Sequence, residues 1–451
     1  MRKLIWTVSM LCCVVMLVSV VQGAEKVKPE KYADSPLDFT FGGDFRWREV
    51  YFDNIPIVAD PPGVTRGGAN HFFRYRTRLW GGVQVEDNFA VKGRLVNEFR
   101  HFEHGQTRSW DAWDELVVDQ LYVDVKGLFN DTFDLRLGRQ DLIYGTGKVL
   151  LEGTPKDGSR TIYCDAVKMV YKGLDDTTID ILGIYNGPEN ELVLGSQDRD
   201  LTGWDPAYND LTESGGGVYL KNKTSEDVPF EAYYFYKHES DWENRKGCTQ
   251  PSANVNTFGA RFMPKYAPVS INLELAGQFG DRGPEDQTGY MLDASVTDHL
   301  DGKTKPCVSL GLYYLSGDDP NTAKDEGWNP LWARWPQYSE LYIYAFDAEG
   351  AGRWSNVNMP HIDFSLVPTD WLKTKLLVGY MFAPEKNGPG GGSERGFITT
   401  LRNDFTIKEG LFAKKDAVKG HVVLEFLDPG NYYNEDSVAG FARLELSYAF
   451  Q

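Results

Sequence analysis

Residues 70–85 read NHFFRYRTRLWGGVQV, and sorting alternate positions to opposite faces separates two chemistries. Arg74, Arg76, Arg78, Gly82 and Gln84 fall on one side, with Phe73, Tyr75, Thr77, Leu79, Val83 and Val85 on the other. Successive side chains of a β-strand point to opposite faces, so this is the period of a strand. One face suits lipid or a core. The other is a row of arginines that requires water or an anionic partner. Repeated around a closed sheet, the pattern makes a membrane pore with cations on its inner wall.

Period-2 segments bounded by turn residues recur along the chain. Strands are expected near 37–51, 70–85, 89–103, 115–126, 132–139, 164–172, 177–187, 215–222, 229–238, 254–264, 269–280, 287–299, 306–315, 358–367, 371–382, 397–407, 420–427 and 440–450, eighteen in all. After even-numbered strands the connectors are short: EDN at 86–88, GLFND at 127–131, GLDD at 173–176, KTSEDV at 223–228, PKYAP near 264–268, LDGKTK near 300–305 and PTD at 368–370. After odd-numbered strands they are mostly long, as at 52–69, 140–163, 188–214, 239–253 and 316–357. A soluble sandwich has no reason to sort its loops in this way. An all-β fold is therefore expected, a transmembrane antiparallel β-barrel of about 18 strands with short periplasmic turns and long extracellular loops.

One connector breaks the rule: KEGLFAKKDAVKG, near 408–420, is the longest of the short set. It reads either as a tolerated insertion or as a flexible periplasmic flap. The Gly-rich PGGGSERG at 389–396 is placed in an extracellular loop. In the closing GFARLELSYAFQ, Ala442, Leu444, Leu446, Tyr448 and Phe450 alternate with Arg443, Glu445 and Ser447. That pattern resembles the C-terminal signal read by barrel assembly machinery, with Gln451 following the aromatic.

The first residues, MRKLIWTVSMLCCVVMLVSVVQG, carry Arg2 and Lys3 before an apolar run from Leu4 to Val21 and a small-residue exit. They read as a signal peptide over 1–23, although a run of this length could also serve as a membrane anchor. A short periplasmic segment over 24–36 and a single barrel domain over 37–451 would follow. Removing the leader takes the formal charge from −18 to −20, which makes the chain a poor nucleic-acid binder. Against that balance, residues 40–110 hold ten Lys or Arg and eight Asp or Glu, a local cationic surface on an acidic molecule. Cys164, Cys248 and Cys307 are too few and too scattered for a disulfide framework or zinc site. Beyond the leader no stretch of about 18 apolar residues occurs, which excludes a helical membrane protein and leaves a barrel open.

With apolar faces turned outward, Arg46 and Arg48 of the first strand, Arg74, Arg76 and Arg78 of the second, Lys92, Arg94 and Arg100 of the third, and Arg136 of the fifth face the interior. Lys373, Lys375, Arg261, Arg402 and Arg443 join them, with Asp44, Glu98, Asp124, Glu274, Asp363 and Glu445 as inward acids. Such charges often only pair across a barrel and hold it together. Three arginines about 7 Å apart on one strand repel, however, and acidic neighbours look too few to neutralise them. The sharper reading is a positive constriction that concentrates anions, since guanidinium groups bind carboxylates bidentately.

Other classes fit less well. None of the seven histidines sits in a nucleophile or zinc motif. His101 and His104 flank Glu103 on a strand end, where that spacing separates the rings. Asp318, Asp319, Asn321 and Asp325 do not match the calcium-loop pattern and read as an acidic solvated loop. No cofactor or metal is expected. The aromatic stretch with Trp328, Trp332, Trp335, Tyr338, Tyr342 and Tyr344 reads as a lid over the barrel mouth, or as a sugar-stacking surface of an adhesin.

Two stretches carry a family resemblance. LRLGRQDLIYGTGKVLLEGTPKDGSRTIYCDAVKMVYKG (135–173) and GLYYLSGDDPNTAKDEGWNPLWARWPQYSE (311–340) resemble segments of the alginate export proteins of Gram-negative outer membranes. Gly138-Arg139-Gln140, Arg160 with Asp165, and Ser316-Gly317-Asp318-Asp319 are the matching positions. The resemblance implies an eighteen-stranded monomeric barrel whose arginine-rich pore passes an acidic polysaccharide. It adds Arg139 and Arg160 to the candidate pore set and implies that a periplasmic turn between strands sixteen and seventeen occludes the pore. Expected partners are an acidic polysaccharide or other anionic solute, outer-membrane lipids, barrel assembly machinery and periplasmic export components. An anion-selective or general porin for small solutes is the nearest alternative. Strand parity itself sets Arg139 on the outer side, at the loop base.

Overall fold

The computed structural model describes residues 37–54, 69–104, 116–152, 163–187, 192, 211–243, 249–333, 337–344, 355–434 and 436–451. The expected leader at 1–23, the segment at 24–36 and Arg160 lie outside the described residues.

Eighteen strands form the wall: β1 (Leu37–Asp53), β2 (Asn70–Val85), β3 (Phe89–His104), β4 (Val117–Gly127), β5 (Phe133–Gln140), β6 (Cys164–Leu174), β7 (Thr177–Asn186), β8 (Glu213–Asn222), β9 (Phe230–Glu239), β10 (Ala253–Phe262), β11 (Val269–Arg282), β12 (Glu285–His299), β13 (Cys307–Leu315), β14 (Val357–Thr369), β15 (Leu372–Phe382), β16 (Glu394–Glu409), β17 (Ala417–Pro429) and β18 (Ala439–Phe450). Each pairs antiparallel with the next. β1 then pairs with β18 from Gly43↔Phe450 to Asp53↔Gly440, which closes the barrel. Closure matters physically, because in lipid every strand N–H and C=O must find a partner within the sheet. Every segment read from alternation is a strand, with ends displaced by no more than about three residues.

Alternation of burial follows the sequence pattern. Along β2, Phe72, Arg74 and Arg76 are buried while Leu79 is exposed. Phe41, Val91, Leu121, Leu137, Phe258 and Leu310 present apolar surface outward, the band a bilayer requires. Trp80 shares the arginine side of β2 and lies across Gly42 of β1, where a Cβ would stand 2.5 Å from its ring.

Three connections differ from expectation. The β11–β12 connection is a tight hairpin through Gly283 and Pro284, so one link on the long-loop side is short. Around 408–420, β16 and β17 extend and reduce the connector to 410–416. The Asp416 carboxylate accepts hydrogen bonds there from the backbone N–H of Leu411 (2.6 Å), Phe412 (2.7 Å) and Ala413 (3.0 Å), and from the Tyr448 hydroxyl (2.9 Å). Phe412 packs edge-on against Tyr448, whose ring faces outward. This cinched turn leans on the outer rim, contrary to the occluding flap expected from the resemblance.

The aromatic stretch is the third difference, since it folds into the barrel where a lid over its mouth was expected. Trp328, Leu331 and Trp332 are buried, and Trp332 meets Phe235 on the inner face of β9. Lys237 donates to the Leu331 carbonyl (2.7 Å), and Gln278 of β11 holds the backbone of Asn329. A second inward segment, residues 141–152, meets the first: Trp332 N–H reaches the Val149 carbonyl (3.3 Å) and Leu151 N–H reaches the Trp332 carbonyl (3.4 Å). Trp335 lies outside the described residues. The two stretches that carry the family resemblance thus come together inside the barrel.

Candidate functional site

Strand register decides which charges meet. Arg48 is opposite Arg74 on β2, and Arg74 is opposite Arg100 on β3. One rank along, Arg46 faces Arg76, which faces Glu98. Directly opposed side chains on one face have Cβ atoms about 4.5–5.5 Å apart, and like charges there are destabilising. Three adjacent strands nevertheless stack arginine on arginine on the buried side.

Carboxylates are built into this cluster, which revises the expectation that acids are too few there. Glu98, fully buried, takes Arg74 Nε at 2.7 Å, with Arg46 at 3.5 Å and Arg100 at 3.6 Å. Asp44 takes Arg78 Nε at 2.6 Å and Arg76 at 3.3 Å, and Glu445 of β18 pairs with Arg48 and lies 3.8 Å from Arg46. The carboxylates hold the guanidinium groups in fixed orientation within a belt running from β18 across β1, β2 and β3.

The remaining candidates divide. Arg94 makes a bidentate pair with Asp119 (2.8 and 2.9 Å) and reaches Asp141 (3.1 Å); Arg136 makes one with Asp124 (2.6 and 3.0 Å) and lies over Tyr122. Both are tied to acids on neighbouring strands and act as wall struts. Lys92 is exposed at the short-turn end of β3. Arg139 alternates with Arg136 and so stands on the outer side of β5, where it pairs with Asp165 (2.8 and 2.9 Å) and lies over Tyr163. It is therefore apart from the inward row, as parity alone indicates. Toward the short-turn end, Lys375 faces Arg402 and Lys373 faces Asp404 across β15 and β16.

Two inner-face cations, Lys237 and Lys148, were not singled out from sequence. Lys237 is buried between Glu213 (2.6 Å) and Glu239 (2.9 Å). Lys148, on the inward segment, lies over Tyr313 and Tyr338 and 3.8 Å from Asp293. Burial, and then the nearby Asp293 carboxylate, push the Tyr338 phenol well above its ordinary range, so it stays protonated and donates to Asp293 (2.9 Å). Arg443 of β18 makes a bidentate pair with Glu340, a residue of the inward-folded stretch (2.7 and 2.8 Å). Parity reveals inward wall residues, whereas nothing local in sequence announces that a loop turns inside.

Chemically, the belt offers planar forks of N–H donors, which match carboxylates in geometry as well as charge. Among the described residues no three His, Cys, Asp or Glu side chains converge as a metal site would need.

The profile of the alginate export family matches residues 38–157 and 205–383, more than half of the chain. Among solved structures, the chain is similar to a BenF-like porin from Pseudomonas fluorescens (TM-score 0.58, 9% identity, 92% of this chain and 98% of that one). It is similar also to OccK2 (OpdF) of Pseudomonas aeruginosa in complex with glucuronate (0.55, 12%, 92% and 98%) and to OpdK of Pseudomonas aeruginosa with vanillate (0.55, 10%, 91% and 98%). At these identities the likeness is one of fold. A stretch of 118 residues is 27% identical to part of the oxygen-dependent choline dehydrogenase of Rhizobium rhizogenes, taking in 26% of this chain and 19% of that protein. The chain spans about a fifth of the length of that curated relative.

Proposed function

Since the chain belongs to the alginate export family and forms an outer-membrane channel, we propose that it passively conducts an anionic, uronate-bearing polysaccharide across the outer membrane of a Gram-negative cell. The observation that carries this reading is the opposed row Arg48, Arg74, Arg100 on adjacent strands. Stacking like charges costs stability, and a fold that needed only struts has Arg94–Asp119 and Arg136–Asp124 as its pattern. A cation-rich inner wall supplies what a polyuronate requires, a succession of sites for evenly spaced carboxylates. Two inward segments narrow the interior around the path.

The same narrowing favours a second reading, a porin for small carboxylates such as free uronates. A barrel of similar fold is solved with glucuronate, and such a ligand needs no long conduit. Single-channel recording in planar bilayers separates the two. An exporter of polymer shows current block by oligouronates that deepens with chain length and is absent for neutral oligosaccharides of equal size. A small-solute porin responds alike to one sugar acid and to six. Indifference to every acidic glycan contradicts both.

A further inference from the structure

Arg443 lies on the inner face of β18, next to the rank of Arg48 and Glu445, with Val50 opposite it on β1. Its guanidinium is almost entirely buried and fully oriented: Nε donates to His421 Nε2 (2.9 Å), while both Nη groups donate to the two carboxylate oxygens of Glu340. Glu340 differs in kind from the other acids of the belt. Asp44, Glu98 and Glu445 project from wall strands, whereas Glu340 rides on the connection between β13 and β14. That connection crosses the interior: at Asn329 and Leu331 it is fixed to β9 and β11, and at 339–341 it reaches the opposite wall. There the buried Glu425 of β17 accepts from the Ser339 hydroxyl and from the N–H groups of Glu340 (2.8 Å) and Leu341 (3.2 Å).

We propose that Arg443 is a carboxylate-binding subsite for the travelling sugar acid, that Glu340 occupies it as a built-in competitor, and that exchange of one carboxylate for the other releases the 337–344 segment from the β17–β18 wall. The proposal rests on the reading that the channel carries uronates. The fork on Arg443 already holds a planar carboxylate in the bidentate geometry a uronate would use, so the ligand class follows from the occupant. A single free carboxylate competes poorly against a tethered one, because the tether gives Glu340 a high effective concentration. A chain of uronates, held at the same time by neighbouring belt arginines, competes on equal terms. Unloaded, the path is narrowed; loaded, it widens, which limits leakage of other solutes.

The test uses the full-length barrel in planar bilayers with a hexamer of galacturonate as probe and maltohexaose as its neutral control. Glu340→Gln keeps side-chain volume while removing the competing charge, and Glu340→Ala removes it entirely; mobility of the unheated protein on gels reports assembly. Both variants should raise basal conductance and lower the oligouronate concentration for half-maximal block about tenfold, as expected when a competent state rises from roughly a tenth to nearly all of the population. Arg443→Gln should raise basal conductance and also weaken block. The proposal is overturned if Glu340→Gln and Glu340→Ala keep wild-type conductance and wild-type block while Arg74→Gln still weakens block. If wild-type and all variants ignore the oligouronate, the polyuronate reading itself fails, and this proposal with it.

Discussion

Arg48 and Arg74 face one another directly across the β1–β2 ladder, both buried, with Glu445 beside Arg48 in the same rank and Glu98, one rank along on β3, paired to Arg74. Acids therefore border the opposed arginines without separating them. The arrangement costs stability where it sits and orients two guanidinium forks toward the interior.

Glu98 is the piece whose loss should be felt most. Glu98→Gln leaves Arg74, Arg46 and Arg100 around a neutral amide, and removing one member of a buried charge pair costs about 3–5 kcal/mol. Denaturant unfolding in detergent micelles should show that loss. The double variant Glu98→Gln/Arg74→Gln should be less destabilised than the sum of its parts, because the charges it removes are coupled.

Arg94 and Arg136 should behave in the opposite way. Each is committed to a bidentate carboxylate on the next strand, so glutamine in either place should lower the unfolding midpoint while leaving oligouronate block at the wild-type level. A large change in block with unchanged stability would move them from struts to binding groups.

The turn at 410–416 offers a test of gating from the periplasmic end. Burial alone would push the Asp416 carboxyl up, but the N–H groups of Phe412 and Ala413, the Tyr448 hydroxyl and the Leu411 N–H outweigh it and hold the group below the ordinary carboxylate range. A depressed folded value means that its stabilisation is fully present above the unfolded value, near 3.9, and is lost as pH falls through the lower folded value. Asp416→Asn should cost about 1–3 kcal/mol at neutral pH and flatten that acid limb of the stability curve. Conductance should not change, since the turn rests on the outer rim; a rise in conductance would restore the flap.

Trp332 closes the contact between the two inward segments and packs on Phe235. Trp332→Ala should cost roughly 3–5 kcal/mol of packing, concentrated in those segments. Conductance should rise while the barrel itself still assembles, a result read by pairing single-channel traces with gel mobility.

Barrel and strand positions were legible because lipid imposes a period on every strand, and because turn and loop ends differ in length. The six belt arginines from Arg46 to Arg100 were legible for the same reason, since parity sets the face. What escaped depends on contacts distant in sequence. The β9 run FEAYYFYKHE is aromatic on both faces, so alternation did not single out Lys237 as a buried cation. The tryptophans at 328 and 332 read as bulky groups in need of cover, and the cover turned out to be the interior of the barrel itself. The acids Glu98 and Asp44 were visible as inward residues, but their sharing among several arginines follows from register.

The opposed arginines are the groups on which binding of the anionic chain depends most, and the half-blocking concentration of a galacturonate hexamer tests them most directly. Measured at low salt, where charge is least screened, it should rise at least about tenfold in Arg48→Gln/Arg74→Gln relative to wild type, the loss expected from one or two charge-assisted hydrogen bonds. An assembled double variant that is blocked at the wild-type concentration would contradict the claim that this row carries the anionic chain.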